Sequence, residues 1–268
     1  MKHLPNICTL ANMFFGCLAI AFILNAPSFL TTVSGEDYRP VLGMEQMYLG
    51  SFCILVAAFM DVMDGLAARS LGVQSLLGRD LDSLADVVSF GVAPSMILYK
   101  FLWLAYMAEP GALDTPVLVT VPAFLIACFG ALRLARFNQT ATVQKSYFTG
   151  MPIPAAGIMA ASLPLTAWFP SAWDMRPLLY NRWFLYTLIV ALCFLMVSKI
   201  KFLKWRASGK GMAAWWPQIL TIAVVAAGAP FLKFVVIPVA FVVYIICSLA
   251  YRYPNAPEPT ATEQAAAA

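Results

Sequence analysis

Four aspartates fall into two pairs whose spacing can do chemistry. Asp61 and Asp64 are three residues apart, and Asp82 and Asp86 are four apart. At either spacing two side chains share one face of a helix. Both pairs lie in DVMDGLAARSLGVQSLLGRDLDSLAD (61–86), which holds five of the thirteen acidic residues and sits between apolar runs at 47–60 and 87–107. A turn or short amphipathic piece over Gly65–Arg79 would bring the two helix ends together, so that the carboxylates converge on one small volume. Bare anions crowded at low dielectric repel one another, and a metal, a cationic partner or shared protons must relieve them. Oxygen-only donors suit hard cations such as Mg2+, Mn2+ or Ca2+. Two divalent ions about 3.5–4 Å apart are a familiar arrangement for phosphoryl transfer. His3, the only histidine, is read as an exposed terminal residue. Pairing with Arg69 or Arg79 is the competing structural role, reasonable for one aspartate and poor for all four. Gly65 allows close approach of a ligand to the backbone, and Arg69, on the helix face below Gly65, can fork onto phosphate oxygens.

The elements that must carry these groups are membrane helices. The chain has 268 residues, 62% of them hydrophobic and 11% charged, with a mean hydropathy of +0.79. Soluble domains are about 45–50% apolar and about 25% charged. Eight apolar windows are long enough, or nearly so, to cross a bilayer: 7–33, 44–66, 84–107, 115–135, 151–171, 182–199, 213–229 and 233–251. The fold class is therefore an all-α integral membrane protein of about eight transmembrane helices. The expected organisation is one polytopic catalytic domain over 1–253 and a disordered tail over 254–268. The first window does not read as a cleaved leader. Pro154, Pro164 and Pro238 are expected to kink their helices. The six cysteines lack disulfide or metal spacing and read as buried free thiols.

Lys and Arg set the orientation. With both termini in the cytoplasm, that side holds Lys2, Arg69, Arg79, Arg133, Arg136, Lys145, Lys199, Lys201, Lys204, Arg206, Lys210 and Arg252, twelve of seventeen. The aspartate stretch then faces the cytoplasm, and KIKFLKWRASGK (199–210) reads as a topology signal that meets anionic headgroups. The net charge of +4 gives no reason to invoke nucleic acid. A homodimer is compatible with the chain, but no motif marks one.

Asp61-x-x-Asp64-Gly65-x-x-Ala68-Arg69, eight residues, then Gly78-x-x-x-Asp82-x-x-x-Asp86 resembles the signature of the CDP-alcohol phosphatidyltransferase family at every fixed position. The resemblance implies that Asp61, Asp64 and Asp82 hold two divalent ions, Mg2+ or Mn2+, beside a CDP diphosphate. It implies that Asp86 lies at the same metal site and is the base that takes the proton of an acceptor alcohol. It places Asp61, Gly65, Ala68, Arg69 and Gly78 against the nucleotide. The chemistry is coherent in its own right: a departing diphosphate gathers negative charge that cations neutralise, and a hydroxyl is a poor nucleophile without a positioned base. A site at the membrane surface serves one lipid and one cytosolic substrate.

The signature does not choose the alcohol. DSLADVVSFGVAPS (82–95), LPNICTLANMFFG (4–16), ALRLARFN (131–138) and YFTGMPIPAAG (147–157) resemble the phosphatidylserine synthase branch, although SLGVQSLL (70–77) is less polar than that branch usually shows. The implied substrates are CDP-diacylglycerol and L-serine, drawn from and returned to membrane lipids. A serine carboxylate needs a cation. Arg133 and Arg136 share a face and are followed by Asn138, so these three are candidates for serine or a phosphate, against a plain anchoring role. Asn6 and Thr9 can touch the nucleotide, while Asn12 is equally a polar contact between helices. The same chemistry on glycerol phosphate, inositol phosphate or choline is the near alternative. A cation- or proton-coupled transporter is the distant one, since transporter carboxylates usually sit at the midplane in repeated halves. The implied location is a bacterial inner membrane.

Overall fold

The computed structural model describes residues 4–34, 37–72, 76–108, 116–140, 147–169, 171–203 and 216–251. Expectations for His3, Lys2, Lys145, Arg252, the basic loop beyond 203 and the 254–268 tail fall outside the described residues.

The first helix, α1, runs Leu4–Asn25 and stops ahead of Pro27, which disfavours helical geometry in the residue before it. The chain then forms an antiparallel hairpin, β1 Ser28–Ser34 with β2 Asp37–Leu42. The first apolar window therefore ends early. Residues 28–33 read SFLTTV, apolar enough to extend a span but β-branched enough to pair as a strand. Lys100 holds the hairpin in place by donating to the Ala26 carbonyl at 3.0 Å and to Ser28 Oγ at 2.9 Å.

The second helix, α2, covers Met44–Leu71 and ends on Gly72, whose φ of 63° is left-handed. Glycine takes that conformation without strain and so caps the helix. The link between the aspartate pairs is thus shorter than the Gly65–Arg79 expectation, because the polar face of α2 continues to be helical through Leu71. After it come α3, Leu76–Asp86, a six-residue π-helical segment, Val87–Val92, and α4, Ala93–Met107. Two 3-10 turns, Val117–Val119 and Val121–Phe124, precede α5, Leu125–Thr140. Then follow β3 Tyr147–Thr149, α6 Ile153–Trp168, the short α7 Arg176–Leu179, α8 Arg182–Val197, β4 Lys201–Leu203, α9 Trp216–Leu232 and α10 Val236–Ala250. β3 pairs antiparallel with β4. The protein is a helical membrane protein that, among the described residues, also carries one β-hairpin and one short antiparallel strand pair.

Five helical stretches are long and apolar enough to cross a membrane, and α6 and α8 are shorter apolar helices. The stretch Leu77–Met107 is the hub: 61% of its apolar window is buried, against 22–33% for the other four. Its π segment packs by close backbone approach. A Cβ on Gly16 of α1 would strike Ser89, one on Gly157 of α6 would lie 2.9 Å from Phe90 Cα, and one on Gly91 would lie 3.3 Å from Ala127 Cα of α5. Between lipid-solvated helices, small residues at such contacts let backbones pack where no aqueous hydrophobic effect drives them together. Ile7, Leu10 and Phe14 form an exposed stripe on the opposite face of α1, as expected of a surface against lipid.

Some finer expectations change. Pro154 lies in the first turn of α6, where its missing N–H costs nothing, so it starts the helix without kinking it. The break expected at 228–233 falls at Lys233–Val235 instead. Pro230 stays inside α9. The cysteines are free, but only Cys193 and Cys247 are buried; Cys17 and Cys128 are exposed because they fall on outward helix faces.

Candidate active site

α1 and α2 run antiparallel. Thr9 meets Asp64 near one end of the pair, and Ile23 packs on Gly50 towards the other. This places the start of α1 beside the acidic end of α2, with α3 alongside. One oxygen each from Asp61, Asp64 and Asp82 lies within 4.8 Å of the others. Asp86, one helical turn after Asp82, is close enough to interact electrostatically with all three. The structure thus gathers three of the four expected carboxylates tightly and puts the fourth beside them. Asp64 and Asp86 are only 6% and 7% exposed.

The fit to divalent cations can be tested on the residues themselves. Two ionised carboxylates at that separation repel by about 3 kcal/mol even at an effective dielectric of about 20. Among the described residues, no salt bridge joins the four aspartates to Arg69 or Arg79. Asp82 Oδ1 is buried with no hydrogen-bond partner, which is costly for an anionic oxygen unless a cation completes it. The donor set is all oxygen. These residues fit a hard divalent ion.

α1 supplies the supporting bonds. Thr9 Oγ1 lies 2.9 Å from Asp64 Oδ2 and 3.0 Å from the Pro5 carbonyl, so its one proton is shared between two acceptors. Asn12 Nδ2 donates to Asp86 Oδ1 at 3.4 Å. A carboxylate only accepts, so the amide must present its NH2 there, which leaves the buried Asn12 Oδ1 without a partner. Ser89 of the π segment donates to the Asn12 carbonyl at 3.0 Å. Asn6 is half-buried. Gly65 and Arg69 form a unit: a Cβ on Gly65 would lie 3.8 Å from both terminal nitrogens of Arg69, so the guanidinium folds back over the glycine. Ala68 and Gly78 are half-buried nearby in sequence, on α2 and α3.

The three α5 candidates separate. Arg133 is 6% exposed, with its guanidinium 5.3 Å from the Phe137 ring centre and 6.0 Å from that of Phe148. It feels the charge of Asp86. Its Nε is buried and unpartnered. Arg136 is exposed. Asn138 donates to Ser83 Oγ at 2.8 Å, which ties α5 to α3 between Asp82 and Asp86. The sequence reading missed Ser83, Phe148 and the pairing of Asn12 with Asp86. For Asn12 a signal existed, since it shares a helix face with Thr9, but the identity of its partner depends on packing.

A family model described as CDP-alcohol phosphatidyltransferase matches residues 2–183. The chain belongs to that family. A CDP-diacylglycerol–serine O-phosphatidyltransferase of Bacillus subtilis (strain 168) is 34% identical over 203 residues, 75% of this chain and 90% of the relative. Its namesake in Mycobacterium tuberculosis (strain H37Rv) is 32% identical over 255 residues, 91% of this chain and 77% of the relative. An archaetidylserine synthase of Methanothermobacter thermautotrophicus is 30% identical over 188 residues, 68% of this chain and 71% of the relative.

Proposed function

We propose that this protein is a phosphatidylserine synthase: it transfers the phosphatidyl group of CDP-diacylglycerol to the hydroxyl of L-serine and releases CMP. The observation that carries the reading is the part-buried carboxylate cluster on α2 and α3, oxygen-only and, among the described residues, without a salt bridge. Family membership and relatives named for transfer to serine support the same acceptor.

Asp86 accepts the proton of the serine hydroxyl, whose oxygen attacks the phosphorus bearing the diacylglycerol. The bond from that phosphorus to the CMP oxygen breaks, and the electron pair leaves with CMP. Asn12 fixes the Asp86 carboxyl by donating to it, and Thr9 does the same for Asp64. Arg69, folded over Gly65, is placed to fork onto diphosphate oxygens, with Asn6, Ala68 and Gly78 lining the nucleotide. Arg133 receives the serine carboxylate. Asp61, Asp64, Asp82 and Asp86 would hold two divalent ions, Mg2+ or Mn2+, which supply charge neutralisation at the diphosphate.

Residues 1–253 act as one catalytic unit with eight crossings, in a bacterial inner membrane. The windows, the lysine and arginine bias and the paired helices α9 and α10 support this arrangement, with the site and both termini on the cytoplasmic side.

The test is an assay of purified protein with labelled serine and CDP-diacylglycerol, with and without EDTA, beside a panel of other alcohols. Incorporation should require serine and a divalent ion, and Asp86→Asn should lower it by about 100-fold or more, the scale of general-base catalysis. Preferred transfer to another alcohol, or an Asp86→Asn enzyme near the wild-type rate, would refute the assignment.

A further inference from the structure

Arg133 is a buried cation that, among the described residues, makes no hydrogen bond. The rings against it, Phe137 and Phe148, lie within the family match, but what backs Phe148 comes from the part of the chain beyond residue 183, where that match ends. Phe148, one of the two rings beside the guanidinium, sits on β3 directly opposite Phe202 of β4. Phe202 is fully buried and stacks on Tyr244 of α10, with ring centres 5.9 Å apart and an interplanar angle of 27°. The Tyr244 hydroxyl donates to the Leu203 carbonyl at 3.1 Å, and the Leu203 N–H reaches Ser248 Oγ at 3.4 Å. Tyr244 also lies near Arg133.

A chain of contacts thus runs from α10 through β4 and β3 to the guanidinium. Two rings packed together beside an arginine restrain its guanidinium without using its N–H groups. A planar fork held this way and left unbonded matches the two oxygens of a carboxylate.

We propose that Tyr244 is a positioning residue for acceptor recognition: by latching α10 to the β3–β4 pair, it holds Arg133 in the plane that receives the carboxylate of an amino-acid alcohol. The proposal rests on the reading of Arg133 as the carboxylate receptor.

The experiment compares full-length Tyr244→Phe, Tyr244→Leu and Arg133→Lys in mixed micelles, with L-serine and with L-serine methyl ester, which keeps hydroxyl and ammonium but lacks the carboxylate charge. Tyr244→Phe loses one neutral hydrogen bond, so the KM for serine should rise about 3- to 10-fold. In the two Tyr244 variants kcat at saturating serine and the KM for CDP-diacylglycerol should stay within about twofold. Tyr244→Leu, which also loses the ring stack, should raise the serine KM further, while the KM for the ester stays unmoved in both. If Tyr244→Phe folds and Tyr244→Leu does not, the phenylalanine variant alone decides. An unchanged serine KM in the Tyr244 variants, with a raised one in Arg133→Lys, overturns the role of Tyr244 and leaves Arg133 as receptor. Equal rises for serine, ester and CDP-lipid would make Tyr244 merely structural and also overturn it. An unchanged serine KM in Arg133→Lys removes the receptor reading, and the proposal with it.

Discussion

Asp64 and Asp86 are both held by α1, yet through different donors, and the difference has consequences. Thr9 offers a single hydroxyl proton, shared with the Pro5 carbonyl. Replacing it with valine keeps the shape and removes the donor. Partners behind a metal ligand typically account for about 10- to 100-fold in metal affinity. Thr9→Val should therefore raise the Mg2+ or Mn2+ concentration giving half-maximal activity by about tenfold or more, with the rate largely restored at saturating ion. A metal titration of activity checks this. Asn12 is a different case because it touches the proposed base. Asn12→Asp places a second acceptor against the Asp86 carboxyl, so the contact repels where it had bonded. Its kcat should fall by about 100-fold or more, the scale of losing the base, and further than that of Asn12→Ala. Single-turnover rates for the two variants would rank them.

At the scale of elements, two glycines on the page should respond in opposite ways. Gly157 meets Phe90 of the π segment so closely that an added methyl would lie 2.8 Å from its Cβ. Gly157→Ala should push that segment away from α6 and cost about 1–3 kcal/mol, the usual range for overpacking, seen as a lower melting temperature in detergent. Among the described residues, a Cβ on Gly65 would meet only the end of the Arg69 side chain, at 3.8 Å. Gly65→Ala should therefore melt within about 0.5 kcal/mol of the wild type while raising the KM for CDP-diacylglycerol. The aspartate faces were legible in the sequence because intervals of three and four are a local property of a helix, as for Asp61 with Asp64 and Asp82 with Asp86. The partners of Thr9 and Asn12 were not, since they lie 55 and 74 residues away and depend on which helices pack together. The β3–β4 pair was hidden for the same reason, with its strands separated by more than fifty residues of chain. The β1–β2 hairpin was masked by composition, because SFLTTV scores as lipid-soluble whether it is helical or extended. No residue in VVSFGV (87–92) announces a π turn; it becomes visible only through the close contacts that Gly16, Gly91 and Gly157 permit.

At the scale of the whole molecule, the placement of the site depends on how residues 216–250 cross the bilayer. As one uninterrupted helix these 35 residues would be about 52 Å long at 1.5 Å per residue, well beyond a hydrocarbon core of about 30 Å. The helix is in fact broken at Lys233–Val235, and Lys233 takes a left-handed φ of 47°, a conformation that is costly for a residue with a side chain unless the chain must turn there. α9 and α10 pack against each other on either side of this break. Two crossings would return the chain to the side it left, as the proposed arrangement with both termini, the aspartates and Arg133 on one face requires. A single crossing would put the carboxyl terminus on the opposite face from the amino terminus. A cysteine placed at Lys233 in a variant lacking the six native cysteines should be labelled from outside intact cells by a membrane-impermeant maleimide. One at Arg69, beside the cluster, should be labelled only after the cells are opened. Labelling of both positions from the same side would mean that the turn and the catalytic face are not separated by the bilayer, and the cytosolic nucleotide could no longer be placed opposite the Lys233 end of the bundle.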